Sequence, residues 1–254
     1  IWPQSNPIYK LIYKYFKRKE VELLNNCDSL VVLTKKAKEL IQNFKDVHIE
    51  PDKIKLIPCC ADLNHFNYNK IDKKTQTEIK EKLNISEKSF IISYLGSIGS
   101  WYMIDEMLQF FKVIKSVIPN SLFLFITPNK EEEIISLAIK NGVNPTDLRC
   151  TFGERKQLPS LLTLSDVSLF FILPTFSKKA SSPTKHAELM GLGIPVICNS
   201  GIGDLNEIIN ETKTGYIIEN LNNKEFHKCV KLIYQIKNID KELIRSSAEN
   251  LFSL

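Results

Sequence analysis

The stretch that decides the fold is VSLFFILPTFSKKASSPTKHAELMGLGIPVICN, residues 167–199. It opens with an apolar run and ends with another, PVICN. Between them lies a short helical pattern, PTKHAELMGL (183–192), entered through two serines and a proline. Runs that are apolar nearly throughout are expected of strands covered on both faces. Strand, helix and strand in this order form a parallel unit.

The same rhythm extends outward from residue 88. Apolar strands are predicted at FIISYL (90–95), SLFLFI (121–126), LRCTF (148–152), VSLFFIL (167–173), PVICN (195–199) and TGYII (214–218). Helical patterns separate them at 103–117, 130–142, 155–165, 183–192 and 202–210. Six strands alternating with five helices predict an α/β fold with a Rossmann-like, doubly wound parallel sheet. Ligands bind such a sheet beyond the carboxyl ends of its strands. That rule selects the loops at 96–102, 127–130, 153–158, 173–183 and 199–204.

Upstream the pattern differs. Asn6 and Pro7 suit the cap and first position of a helix whose Ile8, Leu11, Ile12, Tyr15 and Phe16 share a face. Lys10, Lys14, Lys17 and Arg18 lie mostly off that face, so 8–19 reads either as a surface helix or as one resting on anionic lipid. SLVVL (29–33) is a predicted strand, followed by Thr34 as N-cap of the helix KKAKELIQNF. IKLI (54–57) is another strand. A Lys- and Asn-rich stretch follows, with a helix from about Asp72 to Leu83. The composition shift gives three parts: 1–66, a linker with a connecting helix at 67–87, and 88–254.

A chain of 254 residues with 43% hydrophobic and 25% charged residues is a soluble globular protein, neither disordered nor fibrous. No apolar run is long enough to cross a membrane, and no signal-peptide layout opens the chain. It begins with IWPQSNP and not with Met, which suggests a cut segment. The net charge is +5, from 34 basic and 29 acidic residues. That mild excess suits phosphorylated small ligands or an anionic membrane and argues against nucleic acid. Six cysteines without a CxxC pair argue against zinc and for a reducing cytoplasm.

The helix start at 181–185 is the strongest chemical signal. With Pro183 in the first turn, the amides of Thr184 and Lys185 carry the positive end of the helix dipole. Ser181, Ser182 and Thr184 add hydroxyls, and Lys185 adds a full charge. Glu188, four residues after Thr184, projects on the same face one turn deeper. A carboxylate there accepts hydrogen bonds from the vicinal hydroxyls of a ribose. A helix terminus contributes about 0.3–1 kcal/mol to anion binding, and a charge-assisted hydrogen bond about 1.5–3 kcal/mol. Lys185 and Glu188 should therefore dominate affinity. Taken alone, the same residues also fit an ordinary capped helix with a surface ion pair. Gly96, Ser97 and Gly99 in LGSIGSW, and Arg155 in FGERK, are weaker candidates in neighbouring loops.

In order, CDSLVVLTKKAKELI, DKIKLIPCCADLNHF, FIISYLGSIG, LTLSDVSLFFILPT, SSPTKHAELMGLGIPVICNS and NEIINETKTGYII resemble the retaining glycosyltransferase family 4. The resemblance spans about residues 27–220 and implies the two-domain GT-B architecture. It implies that 1–66 are the end of an N-terminal acceptor domain and that 88–254 bind a nucleotide-diphosphate sugar. It further implies that Glu188 holds the ribose, that Ser182, Thr184 and Lys185 hold the diphosphate, and that the sugar is transferred with retention. Neither cofactor nor metal is expected, since no DxD-type carboxylate pair sits in a ligand loop.

Two departures stand out. The family's sugar-contacting glutamate, eight positions before Glu188, is Ala180 here. Its loop Arg and Lys after the first donor-domain strand are absent, with Ser97, Ile98, Ser100 and Trp101 in that neighbourhood. Lys185, Lys178, Lys179 or Arg155 must then supply countercharge, Lys185 first. The basic helix at 8–19 suits a glycan or lipid-linked acceptor of envelope polysaccharide or glycolipid synthesis, in the cytoplasm at the inner face of the membrane. This chain by itself should bind donor better than it transfers sugar. The alternatives are a catalytically silent nucleotide-sugar-binding subunit, or a nucleotide-sugar epimerase, for which no acid and base cluster is visible.

Overall fold

The computed structural model describes residues 6–99 and 101–253. Ser100, read above as a loop residue, and residues 1–5 lie outside them. Helix α1 (Pro7–Asn26) leads into strand β1 (Leu30–Val32), α2 (Lys35–Gln42), β2 (Ile54–Leu56) and α3 (Lys73–Lys82). The regular alternation then begins: β3 (Phe90–Leu95), α4 (Ile104–Val117), β4 (Ser121–Ile126), α5 (Glu131–Lys140), β5 (Leu148–Thr151) and α6 (Leu158–Leu162). It continues through β6 (Val167–Phe170), α7 (Thr184–Gly191), β7 (Val196–Asn199), α8 (Leu205–Thr212) and β8 (Gly215–Ile218). Three helices follow, α9 (Asn223–Lys231), α10 (Ile233–Lys237) and α11 (Lys241–Phe252).

The described residues form two parallel sheets. One pairs β1 with β2, and the other has the order β5-β4-β3-β6-β7-β8. The order reverses direction between β3 and β6, which makes the carboxyl ends of those two strands the switch point of a doubly wound sheet. The expected fold class is thereby observed.

Burial explains the arrangement. Every residue of β4 and of β6 is buried. Helix α4 buries Ile104, Met107, Leu108, Phe111 and Ile114, at the three- and four-residue spacing of one helical face. Phe110 meets Phe226 of α9 edge to face and packs at a tilt against Phe171. Each fully buried aromatic or aliphatic side chain contributes about 1.5–3 kcal/mol.

The early segment is tied to the larger sheet. Ala61 and Leu63 pack with Ala187 and Met190 of α7 and with Ile244, Ala248 and Phe252 of α11. Buried Arg245 donates to the carbonyls of Leu63, Phe66 and Gly191. The carboxylate of Asp204 accepts from the amides of Lys35 (2.6 Å) and Lys36 (3.2 Å), so a loop of the large sheet caps α2.

Several sequence boundaries shift. The strand expected at 167–173 stops at Phe170 because Phe171–Leu173 turn to meet residues 101–103. Helix α7 begins at Thr184, and Pro183 is its extended N-cap (φ −69°, ψ 112°) and not its first residue. The pattern at 155–165 splits into a 3₁₀ turn, Arg155–Gln157, and α6. Helix α1 runs on to Asn26, past the amphipathic stretch, and buries no residue.

Candidate functional site

The site forms at the switch point. Strand β3 ends at Leu95, and Gly96 follows with φ +134°, a conformation that favours glycine. A side chain there would also meet the Lys185 ammonium, since a Cβ on Gly96 would lie 3.0 Å from its Nζ. Lys185 comes from the first turn of α7, on the other side of the reversal. Its Nζ donates to the Leu95 carbonyl at 2.7 Å. The ammonium lies 3.9 Å from the ring centre of Tyr102, 4.9 Å from that of Tyr94 and 5.8 Å from that of Phe170.

This aromatic cage is built from three elements. Tyr94 is on β3, Phe170 ends β6, and Tyr102 lies between β3 and α4. Tyr102 pairs antiparallel with Ile172. On either side of it, Met103 donates to the Phe171 carbonyl and Leu173 donates to that of Trp101. Asn199 at the end of β7 then clamps Ile172, accepting from its amide at 2.8 Å and donating to its carbonyl at 2.9 Å. The Tyr94 hydroxyl donates to the Ser97 carbonyl, which ties Ser97 to the cage.

Burial pushes the Lys185 ammonium down to about 7, a shift that nearby Glu188 opposes. A lysine so placed exchanges its proton near neutral pH.

Glu188 lies one turn deeper on α7 and is nearly buried, with 7% exposure. Its Oε1 accepts from Arg155 Nη1 at 3.3 Å. Burial holds its carboxyl above the usual range, opposed by Arg155, His65 and Lys185. The Arg155 guanidinium stacks on Phe66 at 5.2 Å, and its carbonyl accepts from His65 Nε2 at 2.9 Å. Lys185, Glu188, Arg155, Gly96 and Ser97 are thus brought together.

The remaining candidates divide from this group. Ser181, Ser182 and Pro183 line a neighbouring apolar cavity of about 120 Å³ with Thr34, His186 and Phe252. The Ser182 hydroxyl accepts from the Cys59 amide at 3.1 Å. Gly99 opens on a shallow depression beside Met103 and Leu137. Lys178 stacks over Trp101 at 4.6 Å and Lys179 over Phe176 at 5.7 Å. The model of the family described as "Glycosyl transferases group 1" matches residues 75–250.

The chain belongs to the group 1 glycosyl transferases. Solved structures agree in fold. WaaG, a glycosyltransferase involved in lipopolysaccharide biosynthesis, matches at 18% identity with a TM-score of 0.68, over 98% of this chain and 65% of its own. A glycosyltransferase from Rickettsia africae matches at 17% identity and a TM-score of 0.74, over 94% of this chain and 63% of its own. Anabaena HepE, solved in complex with UDP and glucose, matches at 14% identity and a TM-score of 0.71, over 100% and 66%. The chain therefore spans just under two thirds of each. A search of curated proteins found no match.

Much of the candidate site of this group 1 transferase is not legible in the sequence. Tyr94, Tyr102 and Phe170 read as core residues in apolar runs, and nothing in their spacing says that they converge on a lysine some 80 positions from Tyr102. His65 and Phe66 were read as the end of a different part, yet they hold Arg155. Asp204 lies in a glycine-rich loop whose sequence gives no sign that it caps α2.

Proposed function

We propose that this chain carries the nucleotide-sugar half of a retaining glycosyltransferase. Such an enzyme moves a sugar from a nucleoside-diphosphate sugar to an acceptor hydroxyl of a glycan or a lipid-linked molecule. The observation that carries this reading is the pair on α7: Lys185 reaches across the switch point, and Glu188 lies one turn deeper beside Arg155. The ammonium and the free amides of α7 supply charge to the departing diphosphate, where preorganised dipoles act in a desolvated crevice. Glu188 accepts from the ribose hydroxyls, and Arg155 keeps its carboxylate aimed. No metal enters this mechanism. HepE bound to UDP-glucose and WaaG's part in lipopolysaccharide biosynthesis support a UDP-sugar donor and an envelope product.

In this reading residues 1–66 belong to the acceptor side, 67–87 connect, and 88–254 hold the donor. The protein works at the inner face of the membrane. Helix α1 supports that contact: Ile8, Leu11 and Phe16 are each at least 60% exposed beside Lys10, Lys14 and Arg18. Flotation with vesicles of anionic phospholipid tests it, and equal flotation of a variant with those three cations changed to glutamine counts against it. Among the described residues, no helix is long and apolar enough to cross a membrane.

A second reading is a silent nucleotide-sugar-binding subunit, favoured by Ala180 and the uncharged Ser97 in place of family side chains. Labelled nucleotide sugars given to the full-length protein with a membrane fraction separate the two. Transfer of label that Lys185→Ala abolishes supports the enzyme. Binding of donor with no transfer supports the silent subunit.

A further inference from the structure

Tyr102 stands in the part of the loop where the sequence lacks cations, and its ring is the one nearest the Lys185 ammonium, at 3.9 Å. The ring is fixed from several sides. Its backbone bridges Ile172, its neighbours Trp101 and Met103 are hydrogen-bonded to Leu173 and Phe171, and it forms a T-shaped pair with Tyr94, ring centres 5.8 Å apart. Lysine has a long flexible stem and a point charge, so its position must be set by what surrounds it. One ammonium proton is set by the Leu95 carbonyl, and the ring faces set the rest.

We infer that Tyr102 is a positioning residue for the donor diphosphate: its ring holds the Lys185 ammonium at the carboxyl end of β3, and it acts only through that lysine. This rests on the donor-site reading above. An aromatic face attracts a cation without neutralising it or competing for phosphate oxygens, so the charge stays whole for the ligand. A ring contact in a desolvated site is worth about tenfold to thirtyfold in the population of the held state. Leucine in place of Tyr102 fills similar space but offers no π-face. Phenylalanine keeps the face and drops the hydroxyl.

The test is a double-mutant cycle on the full chain, read by calorimetric titration with UDP, GDP and ADP. Tyr102→Leu should weaken binding of the preferred nucleotide about tenfold, and Tyr102→Phe should restore it to within about twofold. In a Lys185→Ala background, Tyr102→Leu should cost nothing further. A second readout is the Lys185 titration followed by NMR of its side chain. The titratable groups facing that ammonium are Tyr94 on β3, Tyr102 itself and Glu188 on α7, with Phe170 the uncharged wall from β6. Losing the ring face while the site stays dry disfavours the charged form, so the titration should move downward in Tyr102→Leu and stay in place in Tyr102→Phe.

If Lys185→Ala weakens binding but Tyr102→Leu costs the same with and without Lys185, the inference is overturned and the donor site stands. An unmoved Lys185 titration in Tyr102→Leu overturns it as well. If none of the three nucleotides binds the wild type, the donor reading fails and the inference falls with it.

Discussion

Lys185 Nζ and the Leu95 carbonyl meet at 2.7 Å across the reversal of the six-stranded sheet. One residue ends the first strand of that sheet, and the other begins the helix after its fourth. The contact places a cation in the crevice that the topology itself creates. Losing one charge-assisted contact costs about 2 kcal/mol, or roughly 30-fold in affinity. Lys185→Ala should lower nucleoside-diphosphate affinity by that factor while the far-ultraviolet circular dichroism stays unchanged.

The pH dependence follows from the same lysine. Its folded value is lowered to about 7, against 10.5 for a free lysine. Between those values the unfolded chain binds more protons than the folded one, so stability rises with pH across that window. Below it the buried charge is a full cost. Denaturant unfolding of Lys185→Met should therefore show a smaller rise in stability from pH 7 to pH 10 than the wild type.

Donor binding has the opposite trend. The diphosphate favours the charged ammonium, so affinity should fall by up to about tenfold per unit above pH 7, with proton uptake on binding. The slope should vanish in Lys185→Met. Titrations in two buffers of different ionisation heat measure the uptake directly.

Glu188→Gln keeps the shape of the side chain and removes its charge. The Arg155 partner is 62% exposed, so stability should change by no more than about 1 kcal/mol. Affinity for the nucleotide should fall, and affinity for inorganic pyrophosphate, which has no ribose, should not. Competition titrations with the two ligands check this.

Gly96→Ala forces a side chain into a backbone conformation at φ +134° and against Lys185. Strain of this kind costs about 1–3 kcal/mol. The variant should be destabilised by that amount in thermal unfolding and should bind nucleotide more weakly than its remaining folded fraction explains.

The fold was legible because its signals are local. VSLFFIL and SLFLFI are too apolar for a strand with a wet face, and their alternation with helices fixes the sheet class. The helix start was legible for the same reason: Pro183, Thr184, Lys185 and Glu188 lie within six residues. The cage was not, because Tyr94, Tyr102 and Phe170 meet only after β3 and β6 pair. The role of His65 was hidden in another way. It sits in a segment whose sequence suits the preceding part of the chain, while its ring is held by Arg155 in the following part. Helices α9 and α11 carry local start signals of their own, with Asn222 and Asp240 as side-chain N-caps.

The most direct test of the account is calorimetric titration of this chain with UDP, GDP and ADP, repeated on Lys185→Ala and Glu188→Ala. One nucleotide should bind selectively, weakened roughly 30-fold by loss of Lys185 and clearly by loss of Glu188. Selective binding that both variants leave unchanged would contradict it, because the nucleotide would then bind away from the switch point.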